Sequence, residues 1–230
     1  MRAEAIVDLS AIQHNVALLK EKSGVDLLAV VKADAYGHGL ERVAKTALKA
    51  GASMLGVALL EEAITLRQSG ITEPILAWLV QPGSDFKSAI DNDIDLAAGS
   101  IKALHEIQAA STGKKARVHL ELDTGMTRGG FLSEWDQLTE ADVAGLNIVG
   151  VFSHFARADE PEEKQNQEQL ERFNAMVQTL HGFGFTNILR HISNSAATLS
   201  NPDAAHDMVR TGIAMYGLTP DVAMGSAKEF

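Results

Sequence analysis

Lys32 closes a run of five apolar residues, Leu27-Leu28-Ala29-Val30-Val31, and is followed by the small, polar, glycine-bearing stretch Ala33-Asp34-Ala35-Tyr36-Gly37-His38-Gly39. A continuous apolar run bracketed by Gly24 and Gly37 predicts a strand buried on both faces, with Lys32 at its C-terminal edge. An amine beside an apolar wall loses hydration of its ammonium form. Its pKa falls, and the freed amine can attack a carbonyl to make a Schiff base. The position also suits a solvated lysine that merely ends a strand. More polar and ionisable groups stand where later apolar runs end: Trp78, then Asp123 to Arg128, Ser153-His154-Phe155, His191 to Ser195, and Arg210-Thr211-Gly212-Ile213. Singly, each has a structural reading: Ser195 could cap a helix, His154 could be a core histidine, and Arg210 could pair with Asp207. With Lys32 and Tyr36 they offer an amine for an aldehyde, hydroxyls and glycine amides for a phosphate, an aromatic plate and two guanidiniums. Those are the requirements of a pyridoxal phosphate site.

The elements that must position these groups are strand-like runs alternating with amphipathic segments. Besides the Lys32 strand, runs fall at 54–59, 75–80, 94–98, 118–122, 148–152, 188–192 and 209–216. Eight βα units in one chain predict an α/β fold, a closed parallel (β/α)8 TIM barrel, whose chemistry sits at the C-terminal ends of the strands. No G-x-G-x-x-G follows a strand and no P-loop appears, which argues against a doubly wound sheet. Ahead of the barrel, Ala5-Ile6-Val7-Asp8-Leu9 reads as a short strand packing outside it. Ser10 with Gln13 then reads as a capping box for a helix that buries Ile12, Val16 and Leu19 and stops at Gly24. Ser100 caps the helix carrying Leu104 and Ile107. The longest helix is expected over about 161–180, with Leu170, Phe173, Met176, Val177 and Leu180 as its buried stripe.

Length and composition agree with one barrel domain over residues 1–230, in which 218–230 begin a linker and 225–230 form a loose tail. The 30 acidic and 20 basic residues leave a formal charge of −10, which repels nucleic acid and anionic membranes alike. The chain contains no cysteine, so disulfides, thiolate metal sites and thiol nucleophiles are excluded, and no metal site is expected. No stretch approaches the ~18 apolar residues of a membrane span, and a soluble cytoplasmic protein is the expectation.

Val30-Val31-Lys32-Ala33-Asp34-Ala35-Tyr36-Gly37-His38-Gly39, the Asp123-Thr-Gly-Met-Thr-Arg128 segment, Ser153-His154-Phe-Ala-Arg-Ala-Asp159, His191-Ile-Ser-Asn194-Ser195 and Val209-Arg210-Thr-Gly212-Ile213-Ala-Met-Tyr-Gly217 together resemble the motifs of the bacterial alanine racemase family. They follow the family's order and span essentially the whole chain. The resemblance implies pyridoxal 5'-phosphate as cofactor, alanine as substrate and D-alanine for peptidoglycan as product. It also implies roles. Lys32 would hold the cofactor's aldehyde and act as acid and base on one face of the substrate. Tyr36, Ser195 and the amides of Gly212 and Ile213 would hold the phosphate, with Asn194 grouped beside them. Arg210 would donate to the pyridine nitrogen, steadied by His191, with His154 beside the ring and Trp78 as its wall. Arg128 would lie near the phenolic oxygen and the substrate carboxylate.

The sequence departs from the family pattern in two places. Where the family carries a lysine, often carbamylated, this chain has Glu121, and an ion pair between Glu121 and Arg128 at the barrel mouth is expected. The family's second base is a tyrosine from a β-rich C-terminal domain of the partner in a homodimer. That domain is not in this chain, whose tyrosines, Tyr36 and Tyr216, both belong to barrel motifs. Impaired racemisation by the barrel alone is therefore expected. Two other readings stay open: a stand-alone pyridoxal phosphate barrel that carries the cofactor without racemising, and an aldolase-like Schiff-base barrel with no cofactor.

Overall fold

The computed structural model describes residues 3–224. The chain opens without regular structure over residues 3–8, and Ile6 is 81% exposed. The expected strand there is absent because no sheet edge faces it. Helix α1, Leu9–Ser23, begins two residues before the point at which the Ser10 capping box placed it. The N-cap is Asp8, whose carboxylate accepts from the backbone N–H of Ser10 and Ala11. A charged acceptor at the positive end of a helix outcompetes a hydroxyl, and Ser10 Oγ itself donates to Asp8 at 2.6 Å. Gly24, at φ 68°, ends the helix as expected.

The chain then alternates strand and helix: β1 Asp26–Val30, α2 Lys32–Gly37, α3 Leu40–Lys49, β2 Met54–Val57, α4 Leu60–Gln68, β3 Ile75–Ala77, α5 Phe86–Asp91, β4 Ile94–Ala98 and α6 Ile101–Ala110, which Ser100 caps. It continues with β5 Arg117–Glu121, α7 Glu140–Val143, β6 Asn147–Phe152, α8 Lys164–Gly182, β7 Leu189–His191, α9 Ser195–Ser200 and β8 Met208–Thr211. The eight strands run parallel in the order β7-β6-β5-β4-β3-β2-β1-β8. Two backbone bonds close the ring between β7 and β8: Asp207 N–H to Arg190 O at 3.1 Å and Arg210 N–H to Ser193 O at 2.9 Å. No helix among the described residues is long and apolar enough to cross a membrane. The tail expected over 225–230 lies outside the described residues.

Strand alternation divides the core. Leu27, Ala29 and Val31 join the layer beneath the helices, whereas Leu28 and Val30 point into the barrel with Met54, Leu76, Ala97, Phe152 and Met208. Trp78 packs against this inner group. It fits because residue 56 is glycine: a Cβ there would stand 2.3 Å from the indole ring.

Several strands are shorter than their apolar runs. The most instructive is the last, expected over 209–216. It stops at Thr211, Gly212 turns the chain, and Ile213–Tyr216 coil into a 3₁₀ turn. Likewise β1 ends at Val30, two residues before Lys32. Lys32 instead opens α2, in which Ala33, Asp34, Ala35 and Tyr36 all lie at φ 53–55°, a left-handed turn. Each non-glycine residue held there costs about 1–2 kcal/mol. Glu62 of α4 pins the start of the turn, its carboxylate accepting from Ala33 N–H at 2.6 Å while also holding the N–H groups of Ala58 and Leu59 at 3.0 and 2.9 Å.

Candidate active site

The C-terminal ends of the strands surround a cavity of about 500 Å³. Of the residues the sequence singled out, Lys32, Tyr36, Trp78, Arg128, His154, Asn194, Ser195, Arg210, Gly212 and Ile213 all line it. His191 does not. It is fully buried behind Arg210, because β7 turns its side chain into the barrel interior below the mouth.

The left-handed turn brings Lys32 to the cavity wall with its amine free of hydrogen bonds among the described residues. Burial lowers its pKa, the Arg128 charge lowers it further, and Glu62 opposes both. The same turn swings Tyr36 towards Gly212. A Cβ on residue 212 would stand 2.6 Å from the Tyr36 hydroxyl, so only glycine leaves space there. Ser195 Oγ accepts from the N–H groups of Gly212 at 2.9 Å and Ala214 at 3.3 Å, and so shapes the loop after β8. Ser195 is not the helix cap. That role falls to Asn194, whose side chain accepts from Ala197 N–H at 3.0 Å.

Arg210 is 6% exposed and does not pair with Asp207, which binds Arg190 instead at 2.8 Å. Its Nη1 donates to His191 O at 2.6 Å and faces His191 Nδ1 at 3.2 Å; its Nη2 donates to Ser153 O at 2.7 Å and Ile192 O at 3.3 Å and faces His154 Nδ1 at 3.2 Å. No described residue accepts from its Nε–H. Burial lowers its pKa to about 10 against the attraction of Glu121, which leaves it protonated at neutral pH. Burial, with Arg210, Arg128 and Lys32 nearby, lowers the His154 pKa to about 3, so this imidazole is neutral and accepts from the guanidinium.

Arg128 stands on a loop folded by Asp123, whose carboxylate accepts from the N–H groups of Gly125 at 2.9 Å and Thr127 at 3.0 Å. Among the described residues it makes no hydrogen bond or ion pair. The expected Glu121–Arg128 ion pair is therefore not formed. The Glu121 carboxylate lies instead over Gly129, where a Cβ would be 3.6 Å from each oxygen. Burial raises its pKa, while Arg210 and then Arg128 act from a distance to lower it.

Sequence reading missed Glu62, Asp95, Arg117 and His119. The signal was present for two of them: Asp95 is the single polar residue of the run 94–98, and His119 interrupts the run 118–122.

The matching family model is described as "Alanine racemase, N-terminal domain" and covers residues 7–220. The chain belongs to that family. Alanine racemase of Thermobifida fusca is 47% identical over 95% of this chain and 61% of its own length, and that of Mycobacterium bovis is 45% identical over 97% and 60%. The solved alanine racemase from a D-cycloserine-producing Streptomyces lavendulae superposes with a TM-score of 0.94 at 40% identity, covering 97% of this chain and 61% of that one. The alanine racemase of Streptomyces coelicolor gives 0.93 at 39% identity. The chain thus spans about three fifths of the length of the alanine racemases it matches.

Proposed function

We propose that this chain binds pyridoxal 5'-phosphate at Lys32 and serves the interconversion of L- and D-alanine. One observation carries the reading. A single cavity holds an amine with no hydrogen bond and a buried guanidinium whose Nε–H has no acceptor, both among the described residues, and a glycine whose missing side chain leaves room under a tyrosine hydroxyl. That donor set fits the aldehyde, pyridine nitrogen and phosphate of the cofactor, in that order.

When bound, the cofactor supplies a conjugated ring that takes up the electron pair left when the substrate's α-proton departs. Lys32 would hold the cofactor's aldehyde and, as a free amine, would accept and return a proton on one face of the substrate. Its lowered pKa keeps more of the amine neutral, as that exchange needs. Tyr36, Ser195 and the amides of Gly212 and Ile213 would hold the phosphate, the Gly212 N–H exchanging its bond to Ser195 Oγ for it. Arg210 would offer its Nε–H to the pyridine nitrogen and, as a guanidinium, would keep its own proton, leaving that nitrogen unprotonated. Neutral His154 steadies Arg210, and Arg128, which makes no hydrogen bond or ion pair among the described residues, would receive the substrate carboxylate. The base on the opposite face is, in the family, a tyrosine from the partner of a homodimer; Tyr36 and Tyr216 are both engaged in the barrel, with Tyr216 donating to Val30 O at 3.1 Å.

Borohydride reduction in the presence of pyridoxal phosphate, followed by peptide mass spectrometry, tests the reading. A pyridoxyl adduct on Lys32 is expected; an unmodified Lys32 in cofactor-saturated protein overturns it. Exchange of the alanine α-hydrogen for solvent deuterium then separates a racemase from a cofactor carrier, since a carrier forms the adduct without exchanging.

A further inference from the structure

Inside the barrel, below the cavity, a chain of polar side chains runs from β4 to β8, and apolar packing gives no reason for it. Asp95, His119 and His191 are each at most 1% exposed. Arg117 donates to Asp95 through Nε at 2.6 Å and Nη2 at 3.1 Å. Asp95 Oδ2 faces His119 Nε2 at 3.3 Å, His119 Nδ1 faces His191 Nε2 at 2.9 Å, and His191 Nδ1 faces Arg210 Nη1 at 3.2 Å. The fold makes room for this contact deliberately placed between strands: a Cβ on Gly150 would stand 2.2 Å from His119 Nδ1.

The positions of the protons follow from one end. Arginine has only donors, so His191 Nδ1 must accept. A neutral His191 then carries its proton on Nε2 and donates to His119 Nδ1. His119 in turn is protonated on Nε2 and donates to the Asp95 carboxylate. Burial and the Arg210 charge keep His191 well below its ordinary pKa, and hydrogen bonds from His119 and Arg117 outweigh burial to keep Asp95 ionised. Every bond in the chain points the same way, from the guanidinium towards the carboxylate.

We infer that Asp95 and His119 are positioning residues for Arg210: they lock the tautomer of His191, which fixes the guanidinium so that its Nε–H is left for a ligand in the cavity. The inference rests on the proposed cofactor site. If residue 95 offers no acceptor, the Nε2–H of His119 is buried without a partner and that tautomer loses its advantage, so the Nδ1–H form, which meets the Nε2–H of His191, becomes populated. Two donors then face each other, the contact breaks, and Arg210 loses its orientation.

Nitrogen-15 spectra of the histidines in the unaltered protein provide the first test. His119 and His191 are both expected as Nε2–H tautomers, and a proton on Nδ1 of either overturns the inference, whether or not any cofactor binds. Asp95→Leu removes the acceptor, whereas Asp95→Asn keeps one oxygen for His119 and lets the part-exposed Arg117 turn to water. The dissociation constant for pyridoxal phosphate is expected to rise about tenfold in Asp95→Leu, the size of one hydrogen bond to a charged group, and to stay within about twofold in Asp95→Asn. Unchanged affinity in Asp95→Leu, or an equal loss in both variants, overturns the positioning role. Should Asp95→Leu fail to fold, the tautomers of the unaltered protein still decide. Unaltered protein that never captures the cofactor on Lys32 defeats the proposed function instead, and is told apart by the adduct measurement.

Discussion

Lys32 and Arg210 leave neighbouring strands, β1 and β8, and the protein holds them by opposite means. Around Lys32 the backbone is constrained and the side chain is free. Four residues sit in the left-handed region, Glu62 pins the turn, and the amine itself has no hydrogen-bond partner among the described residues. Around Arg210 the backbone is ordinary strand and the side chain is tied down, both terminal nitrogens donating to carbonyls while facing two histidines. The difference matches the work proposed for each. An amine that bonds a carbon, lets go and carries a proton must move on a rigid base; a guanidinium that tunes a ring must not move at all.

The strongest test of the contrast removes the mobile partner. Lys32→Ala is expected to abolish the borohydride-fixed adduct while leaving the fold intact, as mass spectrometry and circular dichroism together would show. It also has a pH signature. Lys32 has a folded pKa lowered from the ordinary 10.5, so between the two values the unfolded chain binds more protons and stability rises with pH. Lys32→Ala should lose that rise, measured by urea unfolding across the alkaline range.

Arg210→Lys keeps the charge but replaces a five-donor fork with a point ammonium. It leaves buried carbonyls of Ser153, His191 and Ile192 short of donors, and a loss of about 3 kcal/mol or more in urea unfolding is expected. Full stability in this variant would mean that the side-chain network does not hold the guanidinium. Glu62→Ala attacks the other side of the comparison. It strips the acceptor from Ala33, Ala58 and Leu59 and should cost about 1–3 kcal/mol. Because the Glu62 charge raises the Lys32 pKa, its removal should also shift cofactor capture to lower pH. The smallest effect is expected at the seam where the regions meet. In Gly212→Ala the new methyl collides with the Tyr36 hydroxyl, which should weaken pyridoxal phosphate binding up to about tenfold, the equivalent of ~1.4 kcal/mol. With the colliding hydroxyl already gone, Gly212→Ala should cost less affinity when made in a Tyr36→Phe background than in the unaltered protein.

Much of this molecule was readable before folding. Buried parallel strands are continuous apolar runs, so β1, β4, β5 and β6 fall within a residue or so of their runs, and the site residues stand where those runs end. The motifs around Lys32 and Arg210 carry the family on residue identity alone. What the linear chain could not express is competition between groups distant in sequence. Asp8 outbids Ser10 for the first helix, the left-handed turn after Lys32 is pinned by Glu62 from another helix, and Glu121 rests over Gly129 rather than against Arg128. Least visible was the line from Asp95 through His119 to His191. Each residue looks like an interruption of a hydrophobic strand until the barrel closes, turns side chains of β4, β5 and β7 into one interior, and lets each of these histidines meet a partner from another strand.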